Sequence, residues 1–305
     1  MPDIFGAPSE FTKLGEILSV WAAFLWAISV VLFRVVGEKA HPAAMNLFKN
    51  ALAVLLLLPT LAAFGEPVLP ALDPGRLIWL FASGVIGIAV ADTLFFAALN
   101  RLGAELTAIV DCAYAPFVIG LSFLFLGERM GPSQTGGVGL IVLAVVLIAL
   151  KKGDGRLPRR TLLSGIGIGV VALFFQAVGI VMFKPILRDV PLLQVCMVRM
   201  LGGTVGVAAS LAFVRRPARL LRPLFSGKTL KLLLPAALLA SYVSNIIWLG
   251  GMKYTLASIA SALNQINTIF IFVLAAVFLK ERITPVKLAA VALAFAGAVL
   301  VSVPL

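Results

Sequence analysis

Long apolar runs follow one another along nearly the whole chain, separated by short polar breaks. Ten of them have the roughly 20 residues a helix needs to cross about 30 Å of hydrocarbon at 1.5 Å per residue. They span 17–36, 43–64, 77–99, 104–126, 133–150, 162–183, 191–213, 230–251, 255–279 and 285–303. The breaks are too short to hold a soluble domain. The pattern predicts an all-α membrane protein with ten transmembrane helices.

Composition agrees. Of 305 residues, 61% are hydrophobic and only 12% charged, with a mean hydropathy of +1.10, too little charge to cover a soluble surface of this size. The net charge of +12 reads as topology, and no nucleic acid is expected as a partner. Ten crossings place both termini on one side. That face carries six Lys or Arg (Lys13, Arg76, Arg129, Lys184, Arg188, Lys253), and the opposite face seventeen, concentrated in 151–160, 215–231 and 280–287. Lys49 and Arg199 lie within spans and are left out of the count. The positive-inside rule then puts the basic face in the cytoplasm and both termini outside. The polar start, with Lys13 between Glu10 and Glu16, is not a cleavable signal. Cys112 and Cys196 fall inside spans and read as buried inert thiols. The single histidine, His41, lies in a loop, so no metal cluster and no cofactor are expected.

The chain repeats itself. Phe125-Leu126-Gly127-Glu128-Arg129-Met130-Gly131-Pro132 returns as Phe278-Leu279-Lys280-Glu281-Arg282-Ile283-Thr284-Pro285, displaced by 153 residues. At that displacement Asp92 falls on Asn245, Asp111 on Asn264 and Tyr114 on Asn267. Earlier in each half it shortens to 150, so that Leu32-Phe33-Arg34 matches Met182-Phe183-Lys184 and Lys49 matches Arg199. This divides the chain into a five-helix repeat (1–150), a basic inter-repeat loop (151–160) and a second five-helix repeat (161–305). Five is odd, so the second copy enters the membrane upside down. Inverted repeats place a substrate site near the midplane, between the halves.

Charges inside spans are costly and are functional candidates by default. Lys49, Asp92 and Asp111 lie at similar depth, roughly 10 Å below the basic face. Their counterparts Arg199, Asn245 and Asn264 lie roughly 9–13 Å from the other face. One cluster holds a base and two acids, the other a base and two amides. A zwitterion can offer its ammonium to the first and its carboxylate to the second, with Arg199 the better carboxylate anchor because its planar fork donates twice. A coupling proton would reside on Asp92 or Asp111. The structural reading stands beside this one: Lys49 and Asp92 as an interhelical pair, Lys49 and Arg199 snorkelling, Asn264 and Asn267 cross-linking helices, Gln265 bonding a neighbouring helix. Trp21, Trp79 and Tyr254, near span ends, read as interface anchors. Trp26, Tyr114, Tyr242 and Trp248 are candidates either for a cavity wall or for packing. Pro116 should kink the fourth helix beside Asp111. The glycines of 165–169 and 202–206 should let helices approach closely.

These residues also carry a family resemblance. A first helix with Trp26 ends in Arg34. Pro42 and Pro191 precede the in-span bases Lys49 and Arg199. The fourth and ninth helices run into Gly127-Glu128-Arg129 and Lys280-Glu281-Arg282, each with a proline three residues after the arginine. Over essentially its whole length the chain resembles the drug/metabolite transporter superfamily, in its EamA-like ten-helix branch, which includes bacterial amino-acid exporters. The resemblance implies a secondary carrier with a central cavity lined mainly by helices 1, 3, 4, 6, 8 and 9. It also implies cytoplasmic termini in many members, the reverse of the charge count here.

The rivals lack their motifs. No His-Glu-x-x-His, Ser–His or Gly-x-Gly-Asp context serves an intramembrane enzyme, no P-loop binds ATP, and no repeated filter marks a channel. The expectation is a carrier in a bacterial inner membrane that exports a small metabolite, an amino acid or similar zwitterion. Lys49, Asp92, Asp111, Tyr114, Arg199, Asn245, Trp248, Asn264 and Asn267 would contact substrate or coupling proton. A flippase or a carrier of lipid-linked, nucleoside or organic-cation substrates on the same fold is the alternative. Its partners would be substrate, bilayer and protons, with the chain a monomer or weak homodimer.

Overall fold

The computed structural model describes residues 9–127, 131–150, 157–280 and 283–302, and every regular element among them is helical. The helices follow the apolar runs closely: α1 (Ser9–Gly37), α2 (Pro42–Ala63), α3 (Pro74–Leu102), α4 (Ala104–Leu126), α5 (Pro132–Leu150), α6 (Arg159–Phe183), α7 (Leu192–Ala212), α8 (Gly227–Tyr254), α9 in two pieces (Ala257–Asn264 and Asn267–Phe278) and α10 (Pro285–Ser302). Among the described residues seven stretches are long and apolar enough to cross a membrane: α2, α3, α4, α6, α7, α8 and, within α1, Lys13–Gly37. The fifth, ninth and tenth expected spans are met by shorter apolar helices, Pro132–Leu147, Asn267–Phe278 and Pro285–Gly297. The two Glu-Arg turns at 128–129 and 281–282 and most of the inter-repeat loop, 151–156, lie outside the described residues.

Local chemistry sets the helix ends. Proline opens α2 and α3, where its missing N–H costs no bond. His41 Nδ1 accepts from Ala43 N at 3.3 Å and Asp73 Oδ1 from Arg76 N at 3.0 Å. Gly103, at φ +83°, turns α3 directly into α4. The outward helix faces carry Leu55, Leu124, Phe125, Val277 and Phe278, all more than half exposed. An exterior as apolar as the core suits lipid, not water. Trp21 and Trp79 stand on that exterior.

Glycine brings the inner helices to backbone contact. A Cβ on Gly84 of α3 would collide with the Arg199 carbonyl of α7, and one on Gly202 with that of Phe81. Gly203 and Gly206 face Ile88 and Ala89, so all three glycines of α7 sit against α3; Gly165 and Gly169 of α6 likewise face Leu102 and Val110, whereas Gly167 faces open space. α5 and α10 form a peripheral pair, with Gly297 against the Gly137 carbonyl.

Two departures from ideal helix recur in both halves. Val85–Val90 of α3 is a π-helix, and so is Leu238–Ser244 of α8, 153 residues on. Asp92 and Asn245 follow these segments by two residues and one. α4 breaks at Cys112–Ala113 and α9 at Gln265–Ile266, again 153 apart. Pro116 accounts for the first break, as expected. The second has Ile269 at the matching place, so the break belongs to the repeated architecture and not to the proline alone.

Candidate functional site

The inner helices enclose a cavity of about 90 Å³. Its wall takes residues from α1 to α4 and α6 to α9, which adds α2 and α7 to the six helices expected. Eight of the nine residues singled out in the sequence line it: Lys49, Asp92, Asp111, Tyr114, Arg199, Asn245, Trp248 and Asn264. The exception is Asn267. Asn264 and Asn267 were expected on one face of a continuous helix. The break at 265–266 parts them, leaving Asn264 in the wall while the fully buried Asn267 donates to Asp111 Oδ2 at 2.9 Å. Trp26 joins the wall, whereas Tyr242 does not, its hydroxyl lying 2.6 Å from Thr60 Oγ1.

The base of the first half is neutralised inside the protein. Lys49 Nζ lies 2.7 Å from Asp92 Oδ2, donates to Asn50 Oδ1 at 2.8 Å and stands 6.0 Å above the Phe96 ring. Asn50 donates to Asn46 Oδ1 at 2.9 Å, and Asn46 in turn donates to Ile88 O, Ala89 O and Thr93 Oγ1 at 2.9–3.1 Å. A π-helix disrupts the regular carbonyl ladder. Asn46 gives a further donor to two carbonyls of that segment, Ile88 O and Ala89 O, which also accept from Ala91 N and Thr93 Oγ1. The pair Lys49–Asp92 is thus one end of a polar chain that holds the π-segment of α3 against α2.

The base of the second half has no such partner. Arg199 is 4% exposed, and no salt bridge reaches it among the described residues. Its guanidinium carbon stacks 3.8 Å from the Phe183 ring centroid and 6.0 Å from that of Trp248, and its Nε has no acceptor. Asn245, where the first half has Asp92, donates instead to Cys196 Sγ at 3.0 Å. Asp111 forms no salt bridge among the described residues; Asn267 gives it a neutral donor. The Tyr114 hydroxyl, on the same wall, is buried without a hydrogen-bond partner among the described residues. The cavity therefore presents a guanidinium, a carboxyl group and a phenol whose valences the protein leaves open.

Both cysteines are free and buried, Cys112 lying 3.1 Å from Thr268 Oγ1. Gln265, expected to bond a neighbouring helix, lies in the break of α9, buried with neither amide atom hydrogen-bonded among the described residues. Sequence reasoning passed over Gln176, Ser241 and Ser244, which also line the cavity. Gln176 is a polar residue within an apolar run and was open to the same rule that found Asp92. Ser241 and Ser244 enter the wall through the π-register of α8, which hydropathy does not signal. Glu105, fully buried and paired with Lys287, was missed because it stands one residue inside a span edge.

The sequence model of the EamA-like transporter family matches residues 13–150 and again residues 163–303, once for each half. No curated protein matches the sequence. Among solved structures, one titled only as the crystal structure of a protein shares 18% identity, covers 96% of this chain and 96% of its own, and superposes with a TM-score of 0.70, a likeness of fold.

Proposed function

This chain belongs to the EamA-like transporter family, and on that premise we propose that it is a secondary carrier of a small zwitterion, in the first instance an amino acid, working by alternating access. In this reading the ten apolar helices cross a bacterial inner membrane as two inverted five-helix repeats. Both termini are outside, and net flux is outward. Arg199 anchors the substrate carboxylate, and Asp111 receives the ammonium and carries the coupling proton. Tyr114, Asn245, Asn264 and Trp248 shape the space between. Lys49 and Asp92 hold the π-segment in register rather than meeting the substrate directly.

One observation carries the reading: among the described residues, Arg199 is buried in a cavity wall, stacked on Phe183, with a donor unused and no salt bridge. A buried, unpaired guanidinium is costly unless an anion completes it. A carboxylate matches its planar fork.

The test is a thermal-shift screen of the purified protein against amino acids, nucleosides, sugar phosphates and polyamines. A ligand of the folded state at a hundred times its Kd stabilises by about 2.7 kcal/mol. Zwitterionic amino acids should raise Tm, and Arg199→Gln should abolish the rise. Stabilisation by polyamines alone would replace the zwitterion with an organic cation, and insensitivity to Arg199→Gln would remove the anchor.

A further inference from the structure

A second cavity lies in series with the first. It has a volume of about 240 Å³ and is lined by Lys184, Leu187 and Arg188 after α6 and by Met252, Lys253 and Thr255 at the end of α8. The same two helix faces build both cavities. On α6, Gln176 and Ile180 face the central cavity, and Lys184 and Leu187 continue that face outward at helical spacing. On α8, Asn245 and Trp248 face the central cavity, and Met252 and Thr255 continue it. Four residues separate Ile180 from Lys184 and Trp248 from Met252, about one helical turn, so the two cavities follow each other along these helices. Between them lies one aromatic layer, Phe183 against Trp248, with ring centroids 5.9 Å apart. Arg199 stacks on that layer.

The outer cavity has anion chemistry. Three of its lining residues are cationic and none is acidic. The neighbouring acid, Asp189, is turned to Arg76 on the far side, at 2.8 Å. Lys184 is only 4% exposed and is held at the cavity edge by the carbonyls of Met252 and of Thr255, the latter at 2.6 Å. The hydroxyl of Thr255, a residue 7% exposed, is buried there without a hydrogen-bond partner among the described residues. A cation fixed by backbone, two more beside it and an unused hydroxyl form a built receptor for an oxyanion.

We propose that this outer cavity is an anion-binding vestibule of the transport path. It binds the carboxylate or phosphate group of a soluble solute, and the Phe183–Trp248 layer is the gate across which that group passes between Arg199 and the vestibule. The inference rests on the carrier reading above, but its test needs no knowledge of the substrate and leaves Arg199 untouched.

The probe is a cysteine in place of Thr255, in purified protein, modified by an anionic (ethylsulfonate) or a cationic (trimethylammonium) methanethiosulfonate. Both reagents need the same thiolate, so the ratio of their rates, each taken relative to its rate with a small free thiol, reports the local potential. The native thiols, Cys112 and Cys196, are buried and give little background. A focused positive potential raises local anion concentration about tenfold or more. The anionic reagent should therefore react roughly tenfold faster, inorganic phosphate should protect the thiol, and Arg188→Gln with Lys253→Gln should bring the ratio close to one. With Trp248→Ala, a cysteine at Ser244 should react faster in the protein reconstituted and labelled from this side only. Equal rates for the two reagents, or no reaction at 255, overturn the vestibule. Protection by phosphatidylglycerol but not by inorganic phosphate overturns it too and makes the pocket a lipid headgroup site. If Thr255→Cys does not fold, Leu187→Cys on the facing element carries the same comparison.

Discussion

Asn245→Asp places in the second half the acid that the first half already has, and its consequence can be worked from the first half. Asp92 and Lys49 stand 2.7 Å apart and neutralise each other. Asn245 and Arg199 occupy the repeat-related positions and line the same cavity, with no ion pair on Arg199 among the described residues. A carboxylate at 245 gives the guanidinium an internal partner, and a ligand carboxylate must then displace it. A charge-assisted hydrogen bond is worth about 1.5–3 kcal/mol, so Kd for a zwitterion should rise by about tenfold to more than a hundredfold. Stability should hold or rise, since the new charge arrives already paired. The assay is calorimetric titration of the purified variant with a zwitterion found in the screen and with its amine analogue lacking the carboxylate. The analogue should bind no worse than to the wild type. Asn245→Ala, which removes only the bond to Cys196, should stay within a few-fold of the wild type, while Arg199→Lys, keeping the charge but losing fork and stack, should weaken the zwitterion about as much as Asn245→Asp. If Asn245→Asp binds the zwitterion normally, or loses the amine equally, cavity shape and not charge governs recognition.

Three further outcomes are expected. Asp111→Asn should abolish accumulation against a gradient in proteoliposomes while counterflow exchange survives; wild-type accumulation would dismiss Asp111 as the proton carrier. Asp92→Asn should instead strand Lys49 and lower thermal stability by several kcal/mol, of the order of 3–5 for a broken buried pair, with Lys49→Met added to it restoring part of the loss; a stable single variant would contradict the structural role. Lys280 sits at φ +52° where the first half has Gly127 at +68°, and Lys280→Gly should raise stability by about 1 kcal/mol, whereas Lys280→Ala should not; equal gains from both would exclude backbone strain as the cause.

The helices were legible because burying a backbone in lipid demands long apolar runs, and the edges of the α4 run, 104–126, were placed to the residue. The charged positions of the cavity were legible for the same energetic reason: a charge tolerated within such a run stands out. One pairing was legible too: Lys49 and Asp92 were open to reading as an interhelical pair, and they stand 2.7 Å apart. The π-segment of α3, which shifts the register of every later side chain in that helix, was not, because nothing in Val85–Val90 announces it. The separation of Asn264 from Asn267 likewise depends on a helix break at Gln265–Ile266 with no proline or glycine to mark it. Asn46 and Asn50, one turn before and one residue after Lys49, were visible as polar residues, but their task of holding a π-helix existed only once that helix did.

The asymmetry between the halves bears on what the cavity can accept. Had both halves kept a base–acid pair in this place, both bases would be satisfied internally and only Asp111 would stand open to a polar solute. Had both lost the acid, two cations would share a low-dielectric space with Asp111 alone to offset them, at a cost of several kcal/mol. The observed set takes neither course. Lys49 and Asp92 cancel, and Arg199 and Asp111 remain on one wall system with opposite signs. With all four ionised their charges sum to zero, so a zwitterion enters without adding net charge, whereas a simple cation or anion leaves one group unmatched. Loading a proton on Asp111 changes that balance by one unit and favours an anion beside Arg199, which is how a single carboxyl can couple protonation to the charge of the cargo. Binding measured against a series of zwitterion, amine and carboxylate of one carbon skeleton should rank the zwitterion first at neutral pH, with the carboxylate gaining on it in Asp111→Asn. An unchanged ranking in that variant would sever the link between Asp111 and substrate charge.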